Sequence, residues 1–231
     1  MNIVVFGANG PTGRLLAEQA LAAGHRVAAV TRKPEAFPLQ HDRLEVIGAD
    51  VFDPAAVAAA VAGRDAVVSV LGVPFGKEAI TTYSRGIGNI AAAMKVHGVD
   101  RLVAVSSSAV DPHPYPDAGF VFNRILQPYV VKVMGKTLYE DLVRMENLIR
   151  ATDLEWTIVR PSGLYELPEV TDYTLVEGRA DGRYTSRRDL AHCLLRLAGE
   201  RGFAGRTVGI VTTVDNPTMF QLIRQEAFSG S

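Results

Sequence analysis

Residues 2–6 (Asn-Ile-Val-Val-Phe) run without a break into Gly7-Ala8-Asn9-Gly10-Pro11-Thr12-Gly13. No other stretch of the chain limits its fold so strongly. A short continuous apolar run reads as a strand buried on both faces, the kind found in parallel sheets covered by helices. The loop that follows carries a glycine at every third position. It opens a helical pattern over 13–23, with Leu15, Leu16, Gln19 and Ala20 at helical spacing and Gly24 as the stop. Each glycine has a use: the first allows a tight turn, the second lets the backbone approach a pyrophosphate, and the third permits close packing of helix on strand. The helix N-terminus then offers unpaired N–H groups and the positive end of its dipole to phosphates, and Thr12 adds a hydroxyl donor. Gly7, Asn9, Gly10, Pro11, Thr12 and Gly13 are therefore the expected phosphate-side residues of a dinucleotide site.

The rest of the chain repeats the strand–helix alternation. Strand patterns over 26–31, 43–47, 66–71, 101–106 and 156–160 are separated by helical ones over 54–61, 80–97 and 136–151, with Asp53 as the N-cap of the first. This order implies a Rossmann-type α/β fold, a doubly wound parallel sheet with right-handed crossovers. Residues 111–128 contain four prolines and read as an unusually long connection, functional or mobile. After residue 161 the pattern is less regular: a short strand over 173–176, a helix over 187–198 capped by Ser186, a strand over 207–211 and a last helix over 217–227. Nothing resembles a linker. The expected organisation is a single domain over 1–231, with 161–231 contributing a small lobe on the substrate side.

Composition excludes several classes. Lys plus Arg is 24 and Asp plus Glu is 25, for a net charge of -1. The basic excess of a nucleic-acid binder is missing, so no nucleic-acid partner is expected. No apolar run approaches the roughly 18 residues of a membrane span, so no membrane partner is expected either. Met1 leads directly into a strand pattern, and the lone Cys193 cannot form an internal disulfide; together these suggest a cytoplasmic protein. One cysteine and five histidines without ligand spacing give no expected metal site. Oligomeric state cannot be read from the sequence.

The end of the second strand refines the cofactor. A free ribose 2′-OH calls for Asp or Glu there, whereas this chain has Thr31-Arg32-Lys33. A guanidinium fork and an ammonium suit a 2′-phosphate, so NADP(H) is expected, with Arg32 and Lys33 on that phosphate. Asp50 and Val51, after the third strand, are expected beside the adenine. Leu71 and Gly72, after the fourth, are expected to line the cleft.

The segments GANGPTG, DVFD, GRDAVVSVLG, NIAAAMKVHGVDRLVAVSS and WTIVRPSGL together resemble the atypical short-chain dehydrogenase/reductase group that binds NAD(P)H. Within it the chain is most similar to the biliverdin-IXβ reductase/flavin reductase family and to NmrA-like proteins. The resemblance covers about residues 1–165 and is specific for fold and cofactor more than for substrate. Ordinary members of the superfamily use a Tyr-x-x-x-Lys pair, and none of the seven tyrosines here has a lysine four positions on. By resemblance, Ser107 lies near the nicotinamide and is the candidate catalytic residue, with Ser106 beside it. Pro161, Ser162 and Gly163 are expected to contact the nicotinamide through their backbone.

Other residues receive plainer readings. Tyr139, three residues from Lys136, reads as half-buried surface unless the helix entry is distorted. Arg187-Arg188-Asp189 reads as a solvated helix face, with an anionic substrate as the alternative for the two arginines. Cys193 and Trp156 read as core, and His97 as a helix C-terminal residue. Two functions follow as expectations: an NAD(P)H-dependent reductase passing hydride to a flat conjugated small-molecule acceptor such as a flavin, quinone or tetrapyrrole, or a non-enzymatic NmrA-like sensor of NADP(H). An epimerase or dehydratase acting on a nucleotide-sugar is disfavoured without the tyrosine.

Overall fold

A computed structural model of the protein describes residues 1–76, 78–111, 113–115 and 119–214. The helix expected over 217–227 lies outside the described residues. Chain order is β1 (Asn2–Phe6), α1 (Pro11–Ala22), β2 (Arg26–Thr31), β3 (Leu44–Gly48), α2 (Pro54–Val61), β4 (Ala66–Ser69), α3 (Thr82–His97) and β5 (Arg101–Val105). There follow short α turns α4 (Gly119–Val121) and α5 (Gln127–Tyr129), then α6 (Lys136–Arg150), β6 (Glu155–Pro161), β7 (Gly163–Tyr165), β8 (Tyr173–Glu177), β9 (Tyr184–Ser186), α7 (Arg187–Gly199) and β10 (Arg206–Thr212).

Eight strands form one sheet in the order β3-β2-β1-β4-β5-β6-β10-β8. All pair in parallel except β8, which runs antiparallel to β10 at one edge. The fold is Rossmann-type α/β, with that edge strand as the departure from an all-parallel sheet. Much of the chain beyond residue 161 is built into this sheet: β10 extends it from β6, and α7 packs along α1. The three-residue strands β7 and β9 pair in parallel as a separate ribbon.

Alternation along the strands divides the core. Ile3 and Val5 of β1 face a cluster with Leu16, Leu190 and Leu194 from α1 and α7. Val4 and Phe6 face the opposite cluster, with Ile87, Ile90, Leu142 and Ile149 from α3 and α6. Cys193 is fully buried in the first cluster, and burial pushes its thiol up to about 12, so it is inert packing. Trp156 packs against the second cluster as a partly buried residue.

Two helix ends are held from other elements. Asp53 caps α2 by accepting from the amides of Ala55 and Ala56. Thr81 makes no side-chain cap for α3; instead Asp141 of α6, fully buried, accepts from the amides of Tyr83 and Ser84 and from the Ser84 hydroxyl. Arg101, also fully buried, donates to the carbonyls of Leu197 and Glu155 and to Thr157 Oγ1. It thereby satisfies the C-terminal end of α7, and burial lowers its guanidinium to about 10.

The prolines of 111–128 do not mark a structureless connection throughout. From Gly119 to Met134 the chain is helical, α4 and α5 being joined and followed by π turns at Phe122–Leu126 and Val130–Met134. Pro128 has no N–H to give to the i−4 carbonyl, and widened π turns flank it on both sides.

Candidate cofactor cleft

A cleft of about 650 Å³ opens at the carboxyl ends of the parallel strands, where the order reverses between β1 and β4. Gly7, Asn9, Gly10, Pro11, Thr12 and Gly13 line it, as do Arg32, Lys33, Asp50, Val51, Leu71 and Gly72. The loop and strand-end residues singled out from sequence thus converge on one cleft.

The glycines of the loop differ in what forces them. Gly7 has φ of 82°, and a Cβ there would stand 2.6 Å from the Val70 carbonyl oxygen of the loop after β4. A Cβ on Gly13 would stand 2.4 Å from Gly7 O and 2.7 Å from Ala8 Cα. Gly10 is not forced in this way: its Cβ would meet only Gly7 O, at 3.4 Å. Gly10 is the N-cap of α1 with no side-chain hydrogen bond, so the first-turn amides of the helix have no capping oxygen. Asn9 is oriented by Arg14, whose Nε donates to Asn9 Oδ1 at 3.0 Å.

At the end of β2, Thr31 is buried and its Oγ1 accepts from the Lys33 amide, which turns the chain outward. Arg32 and Lys33 are exposed, and among the described residues neither side chain has an ion-pair or hydrogen-bond partner. Asp50 binds the Phe52 amide through Oδ1 at 2.9 Å, and Arg85 stacks over the Phe52 ring at 4.6 Å. Asp50 and Phe52 both line the cleft.

The far end of the cleft is lined by Val70, Val73, Pro74, Val105, Leu164 and Leu190, with Arg187 among them. Tyr83 fixes this wall, its hydroxyl accepting from the Val73 amide at 3.2 Å. Arg187 donates through Nε to Glu166 Oε1 at 2.8 Å. Asp189 is fully buried, accepting from the Thr171 amide and hydroxyl and the Thr212 hydroxyl. The start of α7 is therefore not a solvated face: one arginine reaches the cleft, and the aspartate anchors the helix inside.

Ser106, Ser107, Pro161, Ser162 and Gly163 are not among the residues lining this cleft. Ser106 is buried and gives its proton to Glu146 Oε1 at 2.7 Å. Ser107 accepts from the Ala109 amide at 3.2 Å and so caps the turn Ser108–Val110; no acceptor for its own proton is found among the described residues. Ser162 donates to Gly182 O at 2.7 Å and its amide donates to Thr185 Oγ1, while the Gly163 amide donates to Arg183 O. Pro161 ends β6 opposite Ile210 of β10. This stretch is locked onto the β9 ribbon. Lys136 is exposed, and Tyr139 is half-buried beside Gly135 and Phe75, its phenol raised by burial and by the nearby Tyr83 and Tyr115.

Glu146 was not singled out by the sequence. It is buried, and Arg160 holds both its oxygens, at 2.9 and 2.6 Å, while Arg150 adds 2.7 Å. Burial pushes its carboxyl up, but Arg160, Ser106 and Arg150 together outweigh that and hold it below the ordinary carboxylate value. Among the described residues no group of three or more His, Cys, Asp or Glu could hold a metal ion.

The strand order, the glycine turn and the cleft define a Rossmann-type dinucleotide-binding protein. Residues 7–201 match the NAD(P)H-binding family model, and the chain belongs to that family. An uncharacterized chloroplastic protein of Arabidopsis thaliana is 31% identical over 176 residues; the match takes in 72% of this chain and 60% of the plant protein. Uncharacterized proteins of Mycobacterium bovis and Mycobacterium tuberculosis are 35% identical over 108 residues, taking in 46% of this chain and only 12% of their own length. The chain thus spans less than two thirds of these relatives. Bacillus subtilis YhfK, named an uncharacterized sugar epimerase, is 27% identical over 94% of this chain and 96% of its own. Among solved structures, a Veillonella parvula short-chain dehydrogenase/reductase in complex with NADP superposes with a TM-score of 0.77 at 19% identity, covering 94% of this chain and 99% of that one. ChuY of Escherichia coli O157:H7, described as an anaerobilin reductase, gives 0.71 at 18% identity, covering 94% of this chain and 100% of that one. At these identities the two structures establish the fold alone.

Proposed function

We propose that this protein is an NADPH-dependent reductase that passes hydride to a flat conjugated acceptor such as a flavin, quinone or linear tetrapyrrole. The observation that carries the reading is the cleft itself, with an uncapped helix start at one end, two unpaired cations at the end of β2, and an apolar chamber with one arginine at the other end.

The residues present fit the cofactor. Gly10 leaves open the space that a Cβ would occupy, although the fold itself would tolerate one. The first-turn amides of α1 await an acceptor, and a diphosphate supplies it. Arg32 and Lys33 present five and three donors respectively to a 2′-phosphate. When bound, the reduced nicotinamide supplies the hydride. The chain's own work is to orient and to keep water out. Val105, Leu164 and Leu190 wall the far end, and Arg187 offers its remaining donors to an anionic group on the acceptor; Ser107, outside the lining but two residues beyond Val105, keeps a hydroxyl proton to donate. Acceptors of this kind can also take that proton from water, which suits a chain without the Tyr-x-x-x-Lys pair. That ChuY, of the same fold, is described as an anaerobilin reductase supports the acceptor class.

The test is loss of NADPH absorbance with each acceptor class. Turnover above background with at least one is expected. Tight NADPH binding without turnover on any of them would overturn the reductase reading in favour of the redox sensor.

Two substitutions sharpen the reading. Arg32→Ala is expected to weaken NADPH binding about ten- to a hundredfold, the range of a lost charge-assisted hydrogen bond, and to leave NADH binding nearly unchanged. Fluorescence titration of both cofactors checks this, and equal losses would remove the 2′-phosphate assignment. Ser107→Ala is expected to lower kcat about tenfold or less while NADPH affinity holds, because the hydroxyl assists a proton that water can also deliver. An unchanged kcat would return Ser107 to its capping role alone.

A further inference from the structure

The helical stretch from Gly119 to Met134 leaves most of its large apolar side chains exposed. On an ordinary surface helix the apolar side chains face the protein and the polar ones face water. Here the two amide side chains, Asn123 and Gln127, face inward. Asn123 binds the backbone of Tyr115 twice, accepting from its amide and donating to its carbonyl, each at 2.8 Å, and Gln127 donates to His113 O at 3.1 Å. The apolar side chains face out: Phe120 is 74% exposed, Val121 67%, Ile125 60% and Val133 62%, with Tyr129 and Met134 also exposed. Half of the large hydrophobic side chains exposed among the described residues lie in this one segment. Phe75, in the loop that follows cleft residues Val73 and Pro74, is exposed as well, and its ring meets Tyr139 at the start of α6.

Charge tells which medium the face suits. Between residues 118 and 139 there is no Asp or Glu, whereas Arg124 and Lys132 are present and exposed; Lys136, also exposed, pairs with Glu140 at 4.0 Å. Aromatic and aliphatic side chains flanked by long cations, with no acid among them, match the boundary between headgroups and acyl chains: the apolar side chains enter, and the cations snorkel to the phosphates. We propose that this face seats the protein on an anionic phospholipid surface, beside the mouth of the cleft. No helix among the described residues is long and apolar enough to cross a membrane, and that excludes a span rather than a surface contact. The sequence-based expectation of no membrane partner rested on the missing span alone. The proposal does not depend on the redox reading.

Co-sedimentation with phosphatidylcholine vesicles, with and without phosphatidylglycerol, tests it. Sedimentation is expected only with phosphatidylglycerol and is expected to weaken as salt is raised. Arg124→Gln and Lys132→Gln should each reduce partitioning about fivefold. Ile125→Ser with Val133→Ser should abolish it, while Val96→Ser, an equally exposed site on α3, should leave it unchanged. All variants should keep wild-type NADPH affinity, which shows that they fold. Absence of sedimentation, insensitivity to the segment variants, or a dimer in light scattering that the Ile125 and Val133 variants split into monomers would each overturn the proposal; the last would assign the face to a second copy of the chain.

Discussion

Gly13→Ala is expected to reduce NADPH affinity by about a hundredfold or more and to lower stability by about 1–3 kcal/mol, the usual cost of overpacking a filled site. A Cβ at this position would lie 2.4 Å from Gly7 O and 2.7 Å from both Ala8 Cα and Ala8 O. All three are backbone atoms, so no side-chain rotation relieves the overlap. The start of α1 must lift away from the end of β1. That displaces the helix amides and the Gly7 turn together, and the turn cannot follow freely, because Gly7 is itself held at φ 82° against Val70. Charge-assisted hydrogen bonds of about 1.5–3 kcal/mol each would be lost from the diphosphate position, and two of them account for the affinity change. Gly10→Ala separates the fold from the site. Its Cβ fits the protein, so the melting temperature should stay near wild type while NADPH affinity still falls, because the methyl group occupies ligand space. Thermal melts and fluorescence titration of both variants decide the matter. A Gly13→Ala protein that binds NADPH like wild type would remove the loop as the diphosphate seat.

The cleft was legible because its signals are local and periodic. A continuous apolar run, a turn that only glycine satisfies, and the residue type at the end of β2 all lie within Asn2–Lys33 and need no knowledge of distant contacts. The polar anchors were not legible for the opposite reason. Ser106 lies at the carboxyl end of β5, where ligands bind in such sheets, yet its hydroxyl turns inward to Glu146. Glu146 sits among Leu142, Met145 and Ile149 on the buried side of α6, and in a linear sequence it reads as one more solvated acid. The available signal was Arg160 at the end of a strand otherwise buried: a guanidinium there needs a counter-charge from a neighbouring element. Asp141 and Asp189 were hidden in the same way, each serving backbone amides far along the chain. The helical stretch after Gly119 was masked by the prolines around it, since Pro128 fits a helix only where the ladder opens into π turns. The β7–β9 ribbon is three residues a side, too short for any period to show.

Glu146→Gln is expected to cost about 3 kcal/mol, the low end of the 3–5 kcal/mol for removing one partner of a buried ion pair. The carboxylate is 1% exposed, and Arg160, at 16%, grips it with two parallel bonds. The loss should not reach the upper end. Arg150 is 38% exposed and keeps water as a partner, and Arg160 retains a longer contact with exposed Asp111 at 3.8 Å. The pH dependence fixes the origin of the effect. Glu146 is held below its ordinary value in the folded state, so it contributes stability that is fully present above the unfolded carboxylate value, about 4.3, and is lost as pH falls through the lower folded value. The stability gap between wild type and Glu146→Gln should therefore be flat from about pH 7 to about pH 5 and should narrow below that. Denaturant titrations across this range measure it, and pairing the change with Arg160→Met should recover part of the loss, because the stranded guanidinium goes with it. The cluster joins the ends of β5 and β6 to α6 immediately beside Ser107, so turnover should fall in Glu146→Gln while NADPH affinity, proposed to rest on the Gly7–Gly13 turn, holds. A cost below about 1 kcal/mol, or a gap that widens in acid, would show that the ion cluster is not what clamps these strand ends.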